Sequence, residues 1–252
     1  MTENLDRIQK RFNKASQSYD GVACVQKNAA QFLVSQLLKN QDFAPRAVLD
    51  VGTGTGYIPE LLSHKYPQCS FYLNDIAGEM LEVCKAKFAK NTHIDYLHGN
   101  MLDLNAHLYD CVISNLALQW LPDLRHAIHF LYSKSSDVFA FSTLLDGTFA
   151  EWIAVIGRYQ SPQILAYPKA HDLIDVCQKM KKNGQGFSYW LMDQSLTFAN
   201  HQSFMRYLQS LGASTPAHPV NLFNLKKILQ EETQGLTVTY KLFFGIFRSM
   251  DE

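Results

Sequence analysis

The spacing of hydrophobic and polar positions changes along the chain. Between residues 4 and 40, apolar residues such as Leu5, Ile8 and Phe12 recur at helical intervals. The segment "SQSYDGVA" interrupts this pattern, because Ser, Asp and Gly favour turns over helix interiors. The sequence therefore predicts two N-terminal helices with a break in this segment.

After Pro45, short apolar segments alternate with helical ones. "AVLDVG", "SFYLND", "IDYLHG", "YDCVIS" and "VFAFSTLL" are typical of strands buried on both faces of a parallel sheet. Helical periodicity marks the segments between them, "YIPELLSHKY", "AGEMLEVCKAKFAK" and "LRHAIHFLYSK". Such βα alternation predicts a doubly wound, Rossmann-like α/β fold with helices on both faces.

Beyond Asp146 the alternation stops. "FAEWIAVIGRY" and "AHDLIDVCQKMKK" predict a helical cap over the carboxyl edge of the sheet. "FSYWLMDQSLTFA" and "LTVTYKLFFGIFRS" bring the predicted strands to seven, and helices are expected near 201–211 and 222–232. We predict a single domain with N-terminal helices (1–44), a core (45–147), a cap (148–187) and a C-terminal part that completes the sheet (188–252).

Composition narrows the class of partner. The chain has 252 residues, with 23 basic and 23 acidic side chains, so neither nucleic acid nor a membrane surface is an expected partner. The five cysteines are scattered and form no C-x-x-C pair, which argues against a disulfide framework and a zinc ribbon. The N-terminal segment has no apolar targeting region, and we expect a cytoplasmic protein.

A glycine-rich loop follows the first predicted strand. Gly52, Gly54 and Gly56 alternate with threonines before a helix, an arrangement in which backbone N–H groups can approach a ligand. Tyr57 stands where a dinucleotide fingerprint would have its third glycine, so a dehydrogenase is disfavoured. The remaining alternatives at this point are a phosphate, a sulfonium cofactor or a structural turn.

Polar residues follow the next strands. Asp75 ends the second strand about twenty residues later, where a carboxylate can accept both ribose hydroxyls or cap the following helix. Asn100 and Met101 follow the third strand, and Asn115 and Leu116 follow the fourth. Parallel strands bring these residues to one edge of the sheet, at the point where open α/β sheets bind ligands.

Several other residues are interpreted as structural. His126 and His129 lie three residues apart on a predicted helix, but no nearby Cys or acid completes a metal site, and no metal is expected. We interpret Trp120 and Trp152 as packing residues.

The motifs "VLDVGTGTG", "LNDIAGEML", "HGNMLDL" and "YDCVISNLALQW" together resemble those of class I S-adenosylmethionine-dependent methyltransferases. The resemblance implies S-adenosylmethionine as cofactor. It implies that the methionine part is held by Asp50 and the loop, that Asp75 binds the ribose and that Asn115 and Leu116 border the sulfonium. The residues implied for the loop and the adenine are Gly52, Thr53, Gly54 and Gly56, and Ile76, Asn100 and Met101.

The flanking segments are similar to a narrower family. "RFNKASQSYDGVACVQKNAA", "FMRYLQSLGAS" and "LTVTYKLFFGIFRS" resemble the malonyl-acyl-carrier-protein O-methyltransferases of biotin synthesis, the BioC type. This resemblance implies methylation of the free malonyl carboxylate on acyl carrier protein or coenzyme A. It also implies that the N-terminal helices form a lid, in which Gln26 contacts the cofactor and Tyr19 donates a hydrogen bond to the acceptor.

One family feature is missing. The family's cap carries an arginine for the substrate carboxylate, whereas this chain has "SPQILAYP" there, with Arg158 as the nearest substitute. A methyltransferase with another small acceptor and a non-catalytic binding module therefore remain alternatives. Two basic clusters are candidate docking sites for an acidic carrier protein: Arg7, Lys10, Arg11 and Lys14, and Lys179, Lys181 and Lys182.

Overall fold

The computed structural model describes residues 2–161, 166–182, 184–213, 222–231 and 234–249, with the backbone alone for 2–4, 222 and 231. The central part of "SPQILAYP" lies outside these residues. The strands are β1 (Ala47–Val51), β2 (Ser70–Asp75), β3 (Ile94–His98), β4 (Tyr109–Asn115), β5 (Ser135–Leu144), β6 (Gln185–Phe198) and β7 (Leu236–Ser249). The helices are α1 (Thr2–Val22), α2 (Cys24–Leu37), α3 (Tyr57–Ser63), α4 (Gly78–Lys87), α5 (Leu124–Ser133), α6 (Ala150–Gly157), α7 (Ala170–Met180), α8 (His201–Ser210) and α9 (Leu222–Glu231).

The described strands form one mixed sheet in the order β3-β2-β1-β4-β5-β7-β6. Strands β1 to β5 run parallel, and β7 is antiparallel to both of its neighbours. The order reverses between β1 and β4, which creates a crevice at the carboxyl ends of these strands. The predicted seven-stranded Rossmann-like fold is confirmed.

Helices cover both faces of the sheet. On one face, Val25 and Leu33 of α2 are buried with Val48, Phe71 and Phe244 from the strands. On the other face, residues of α5 and α7 are buried with the second set of strand side chains, among them Val112, Phe139 and Phe243. Burial on both faces explains why β1, β2, β4 and β5 have mainly apolar sequences.

One prediction about helices is confirmed and one is wrong. The break expected within "SQSYDGVA" lies at its last residue, Ala23, because α1 continues through Val22. Tertiary contacts hold this segment as a helix: Ser18 donates a hydrogen bond to the carbonyl of Ser210 in α8, at 3.0 Å. In the predicted cap, α7 instead buries Leu173 and Cys177 in the helical layer on one face of the sheet.

A third hydrophobic cluster packs helices α6, α8 and α9 against the first part of β7. It joins Trp152 and Ile156 of α6 to Phe204 of α8, Ile228 of α9 and Val238 of β7. Because β7 runs antiparallel, Val238 lies towards the carboxyl edge of the parallel strands. None of the described helices combines the length and the apolar character needed to cross a membrane.

Candidate active site

The glycine loop turns sharply out of β1. Gly52, Gly54 and Gly56 have φ angles of +67°, +56° and +80°, which disfavour any residue with a Cβ. A Cβ on Gly52 would lie 2.3 Å from the Cβ of Ala117, and one on Gly56 would lie 2.7 Å from the ring of Phe88. The loop therefore requires glycine for both its conformation and its packing.

Asp50 lies beneath this loop and is 1% exposed. The Thr53 hydroxyl donates a hydrogen bond of 2.6 Å to its carboxylate. Burial raises the pKa of Asp50 to about 7, against the opposing effect of the Thr53 hydrogen bond. A cationic ligand in contact with Asp50 would favour its ionised form.

Asp75 connects the loop to the start of α4. Its two carboxylate oxygens accept hydrogen bonds from the backbone N–H groups of Gly54, at 2.9 Å, and Ala77, at 2.8 Å. Burial raises its pKa, and these two hydrogen bonds act in the opposite direction. The Asp75 carboxylate thus bonds the backbone at the start of a helix and lines the cavity described below, and its contact with a ribose stays a prediction.

Hydrogen bonds hold the side-chain amides of Asn100 and Asn115, which follow or end strands β3 and β4. The Asn100 side chain accepts from the N–H of Leu102 at 3.2 Å. Asn115 donates to the carbonyl of Gln26 at 3.0 Å and accepts from the Ser142 hydroxyl at 2.8 Å. Asn115 therefore holds the N-terminal part of α2 over the carboxyl ends of β4 and β5.

Leu116 has a φ angle of +48°, an unusual conformation for a residue with a branched side chain. Its backbone N–H donates to the Ser142 hydroxyl at 3.0 Å. Backbone strain of this kind clusters at functional sites.

Helix α1 closes over this edge of the sheet. Gln9 donates to the carbonyl of Ile76 at 2.8 Å, and Asn13 accepts from the N–H of Glu79 at 3.0 Å. At its other end, Asp20 accepts from the Thr55 hydroxyl at 2.6 Å. These contacts hold the helix against both the loop and α4, as a lid would require.

Two cavities lie between α1 and the strand ends, and both are lined by Tyr19, Gly52, Gly54 and Asn115. The larger one comprises about 660 Å³ of space, including the part open to solvent, and the smaller one about 390 Å³. The larger one is also lined by the predicted residues Asp75, Ile76, Asn100, Met101 and Leu116, and the smaller one by Gln26, Asp50 and Thr53.

Gly56 is the exception among the predicted residues. It lines neither of these two cavities and instead packs against Phe88 and Cys84 at the start of α3. The reason is its position at the end of the loop, where the chain has already turned into the helix.

The sequence did not single out the apolar wall of the larger cavity. This wall includes Leu5, Ile8 and Phe12 of α1 and Trp120. The Phe12 and Trp120 rings meet edge to face, with centroids 5.5 Å apart. The helical spacing of the three α1 residues could have predicted this wall. It places them on one apolar face of the helix, and the apolar face of a lid lies towards the cavity that the lid covers. Trp120 therefore lines the cavity as well as packing.

Tyr19 and Gln26 lie at the centre of the site. Burial raises the pKa of Tyr19 above its usual range, and the charges of Asp75 and Asp20 add to this effect, so the phenol keeps its proton. The side-chain oxygen of Gln26 is buried and has no hydrogen-bond partner among the described residues. It is an acceptor available to a ligand with N–H groups.

The chain is similar to known proteins. A family profile described as "Methyltransferase domain" matches residues 48–133. The malonyl-[acyl-carrier protein] O-methyltransferase of Magnetococcus marinus is 32% identical over 270 residues, covering 98% of this chain and 94% of the relative. The chain belongs to the malonyl-[acyl-carrier protein] O-methyltransferase family. The relative from Neorickettsia risticii is 26% identical over 244 residues, covering 96% of each chain.

Solved structures agree on the fold. The magnesium protoporphyrin IX methyltransferase ChlM of Synechocystis PCC 6803, crystallised with bound S-adenosylmethionine, superimposes with a TM-score of 0.52. It is 15% identical, and the match covers 88% of this chain and 79% of ChlM. The present chain is thus an S-adenosylmethionine-dependent methyltransferase in family and in fold.

The residues of this methyltransferase fit that cofactor. The carboxylate of Asp75 can accept further hydrogen bonds from ribose hydroxyls, because each of its oxygens has a second lone pair. Asp50 and the unpartnered oxygen of Gln26 suit a positively charged amino group. Gly54 has no side chain to occupy the space that faces Tyr19.

The remaining candidate residues lie elsewhere. His126 and His129 are exposed on α5. Lys182 lies over the ring of Tyr132 at 4.9 Å, next to the start of β6. That end of β6 pairs with the end of β7, which lies beside the start of β5. The Lys179, Lys181 and Lys182 cluster is therefore at the opposite edge of the sheet from the site.

Proposed function

We propose that this methyltransferase transfers a methyl group to the free carboxylate of a malonyl group carried as a thioester by acyl carrier protein. The observation that supports this most strongly is the similarity over nearly the whole chain to relatives named for that reaction, including 32% identity to the Magnetococcus marinus enzyme. The match includes α1, which supplies Tyr19, as well as the cofactor core.

The chemistry suits the residues at the site. Bound S-adenosylmethionine supplies a methyl group on a positively charged sulfur. A carboxylate acceptor is already ionised at neutral pH, so the chain has to orient it and needs no general base. Tyr19 keeps its proton and can therefore donate a hydrogen bond to the acceptor. Closure by α1 excludes water, which favours a reaction in which opposite charges cancel.

The carrier protein would approach from the α1 side. Lys10 and Lys14 are exposed on this helix, one turn apart, and its opposite face lines the cofactor cavity. The second basic cluster lies at the wrong edge of the sheet to deliver an acyl group to Tyr19. Charge reversal at Lys10 and Lys14 should raise the KM for the carrier-bound substrate, whereas reversal at Lys181 and Lys182 should leave it unchanged. Equal effects from both pairs would contradict this docking direction.

The direct test is a methyl-transfer assay with labelled S-adenosylmethionine and malonyl-acyl carrier protein. We expect a methyl ester of the malonyl group, and no product from acetyl-acyl carrier protein, which lacks the free carboxylate. Failure to label the malonyl substrate, together with turnover of an unrelated acceptor, would refute the proposal. A relative named as a biotin biosynthesis protein is 29% identical over 96% of this chain. On this basis we extend the proposal to a role in biotin synthesis in the cytoplasm.

A further inference from the structure

Four tyrosine side chains from distant parts of the chain come together beside the site. They are Tyr19 of α1, Tyr167 before α7, Tyr207 of α8 and Tyr240 of β7, here called the tyrosine cluster. The Tyr240 hydroxyl donates to the Tyr207 hydroxyl at 3.2 Å. Tyr167 and Tyr207 both pack against the hydrophobic core that contains Tyr240.

The position of the cluster relates it to the reaction. Tyr240 lies just beyond the carboxyl end of β5, because the N–H of Leu145 bonds the carbonyl of Lys241 at 2.9 Å. Asn115 at the neighbouring strand end holds α2 by the carbonyl of Gln26. The thiol of Cys24, at the start of α2, is close enough to Tyr207 to contribute to its raised pKa. The cluster therefore lies beside the smaller cavity, which is lined by Tyr19, Gln26 and Asn115.

The four phenols remain protonated. Burial raises the pKa of Tyr167 to about 12, and it raises the pKa values of Tyr19, Tyr207 and Tyr240 above their usual range. Tyr207 contributes to the raised pKa of Tyr19, and Tyr207 and Tyr167 contribute to the raised pKa of Tyr240, which reflects their proximity. Each hydroxyl is thus a hydrogen-bond donor with no charge of its own.

From this arrangement we propose that the tyrosine cluster binds the carboxylate of the acceptor, with Tyr207 as the main donor and Tyr240 orienting the Tyr207 hydroxyl; this rests on the proposed function. Tyr240 donates to Tyr207, which leaves the Tyr207 proton for an incoming oxygen. The acidic side chains that raise the pKa of Tyr19, Asp75 and Asp20, lie on the cofactor side and weaken the attraction of an anion to Tyr19 alone. Tyr207 therefore supplies a second donor to the carboxylate, on the side away from these acids.

Neutral donors also suit the nucleophile. A carboxylate that is paired with a buried arginine shares its charge with that cation, whereas hydroxyl donors fix its position and leave the negative charge on the oxygens. The cluster thereby provides carboxylate recognition without a cationic side chain.

The test uses Tyr207→Phe, Tyr240→Phe and the double variant, which remove only hydroxyl groups. We expect the KM for malonyl-acyl carrier protein to rise about tenfold in each single variant and further in the double variant. The affinity for S-adenosylhomocysteine, measured by calorimetry, should stay within about twofold of the wild type. Tyr109→Phe is the matched control, because Tyr109 is as buried as Tyr240 but begins β4 at the opposite edge of the sheet.

A second measurement needs no variant. Cys24 is exposed, whereas the other four cysteines are buried, so a maleimide should label it selectively. Saturating malonyl-coenzyme A, together with S-adenosylhomocysteine, should slow this labelling at least severalfold, and acetyl-coenzyme A should protect much less.

The outcomes separate the two proposals. If the wild type methylates malonyl-acyl carrier protein but the variants keep its KM, or if malonyl-coenzyme A gives Cys24 no protection, the cluster is not the acceptor site and the proposed function stands. If the wild type leaves the malonyl substrate unmethylated, both proposals fail.

Discussion

Replacing Asp50 by asparagine removes a buried titrating group beneath the glycine loop, and the replacement should change how stability depends on pH. Burial raises the pKa of Asp50 from 3.8 to about 7. Between these values the folded protein binds one proton more than the unfolded chain, so the free energy of unfolding falls as the pH rises. This loss begins near the lower pKa and is complete above the higher one.

The magnitude follows from the same values. A tenfold change in proton affinity is worth about 1.4 kcal/mol, so the whole loss is about 4 kcal/mol, of which about 2.5 kcal/mol falls between about pH 5 and pH 8. Because Asp50 is 1% exposed, solvent screens little of this effect. An asparagine keeps an acceptor for the Thr53 hydroxyl but cannot ionise. Its unpaired amide N–H groups cost about 1–3 kcal/mol, independently of pH.

Urea unfolding across this pH range measures the difference directly. The free energy of unfolding of Asp50→Asn, relative to the wild type, should rise by about 2.5 kcal/mol between about pH 5 and pH 8. Asp95→Asn is a suitable control, because Asp95 is exposed on β3 and water solvates its carboxyl group. A difference between Asp50→Asn and the wild type that stays constant with pH would refute the reasoning.

Three further predictions concern the cofactor site. Asp75→Asn should weaken S-adenosylhomocysteine binding about tenfold to a hundredfold in calorimetry, because a charge-assisted hydrogen bond is lost; unchanged affinity would exclude Asp75 as a ligand. Gly52→Ala should lower the free energy of unfolding by about 1–3 kcal/mol through its clash and positive φ, whereas Gly21→Ala, with open space in α1, should be neutral or stabilising; equal urea midpoints would contradict this. S-adenosylhomocysteine should change tryptophan fluorescence in the wild type and in Trp152→Phe but not in Trp120→Phe, because Trp120 lines the cavity and Trp152 lies in the third hydrophobic cluster. A fluorescence change that persists in Trp120→Phe would show that Trp120 does not line the cofactor site.

The sequence predicted the sheet well for a physical reason. Strands buried on both faces must be apolar, and the helices between them must be amphipathic, so local patterns carry the fold. Parallel strands then bring Asp50, Asp75, Asn100 and Asn115 to one edge without any knowledge of their contacts. The cofactor side of the site could therefore be predicted from residues close to strand ends.

The acceptor side could not be predicted in the same way. Residues 19, 167, 207 and 240 come together only through the packing of α1, α8 and β7, and no local pattern records such contacts. The same limit explains why the continuation of α1 through most of "SQSYDGVA" was not predicted, since the contact between Ser18 and Ser210 joins residues 192 positions apart. Local turn propensity in "SQSYDGVA" is weaker than these tertiary contacts.

The distribution of charge across the site suggests why its two sides differ. Asp50 and Asp75 are buried on the cofactor side, and Asp20 lines the smaller cavity beside them. A cationic cofactor is attracted to these acids, whereas an anionic acceptor entering an empty site would be repelled by them. Neutral phenols on the other side bind the anion without adding a buried cation, which would itself be costly to desolvate. The site therefore favours an acceptor that arrives after the cofactor, when the positive charge at sulfur offsets the acids and attracts the carboxylate towards Tyr207 and Tyr240.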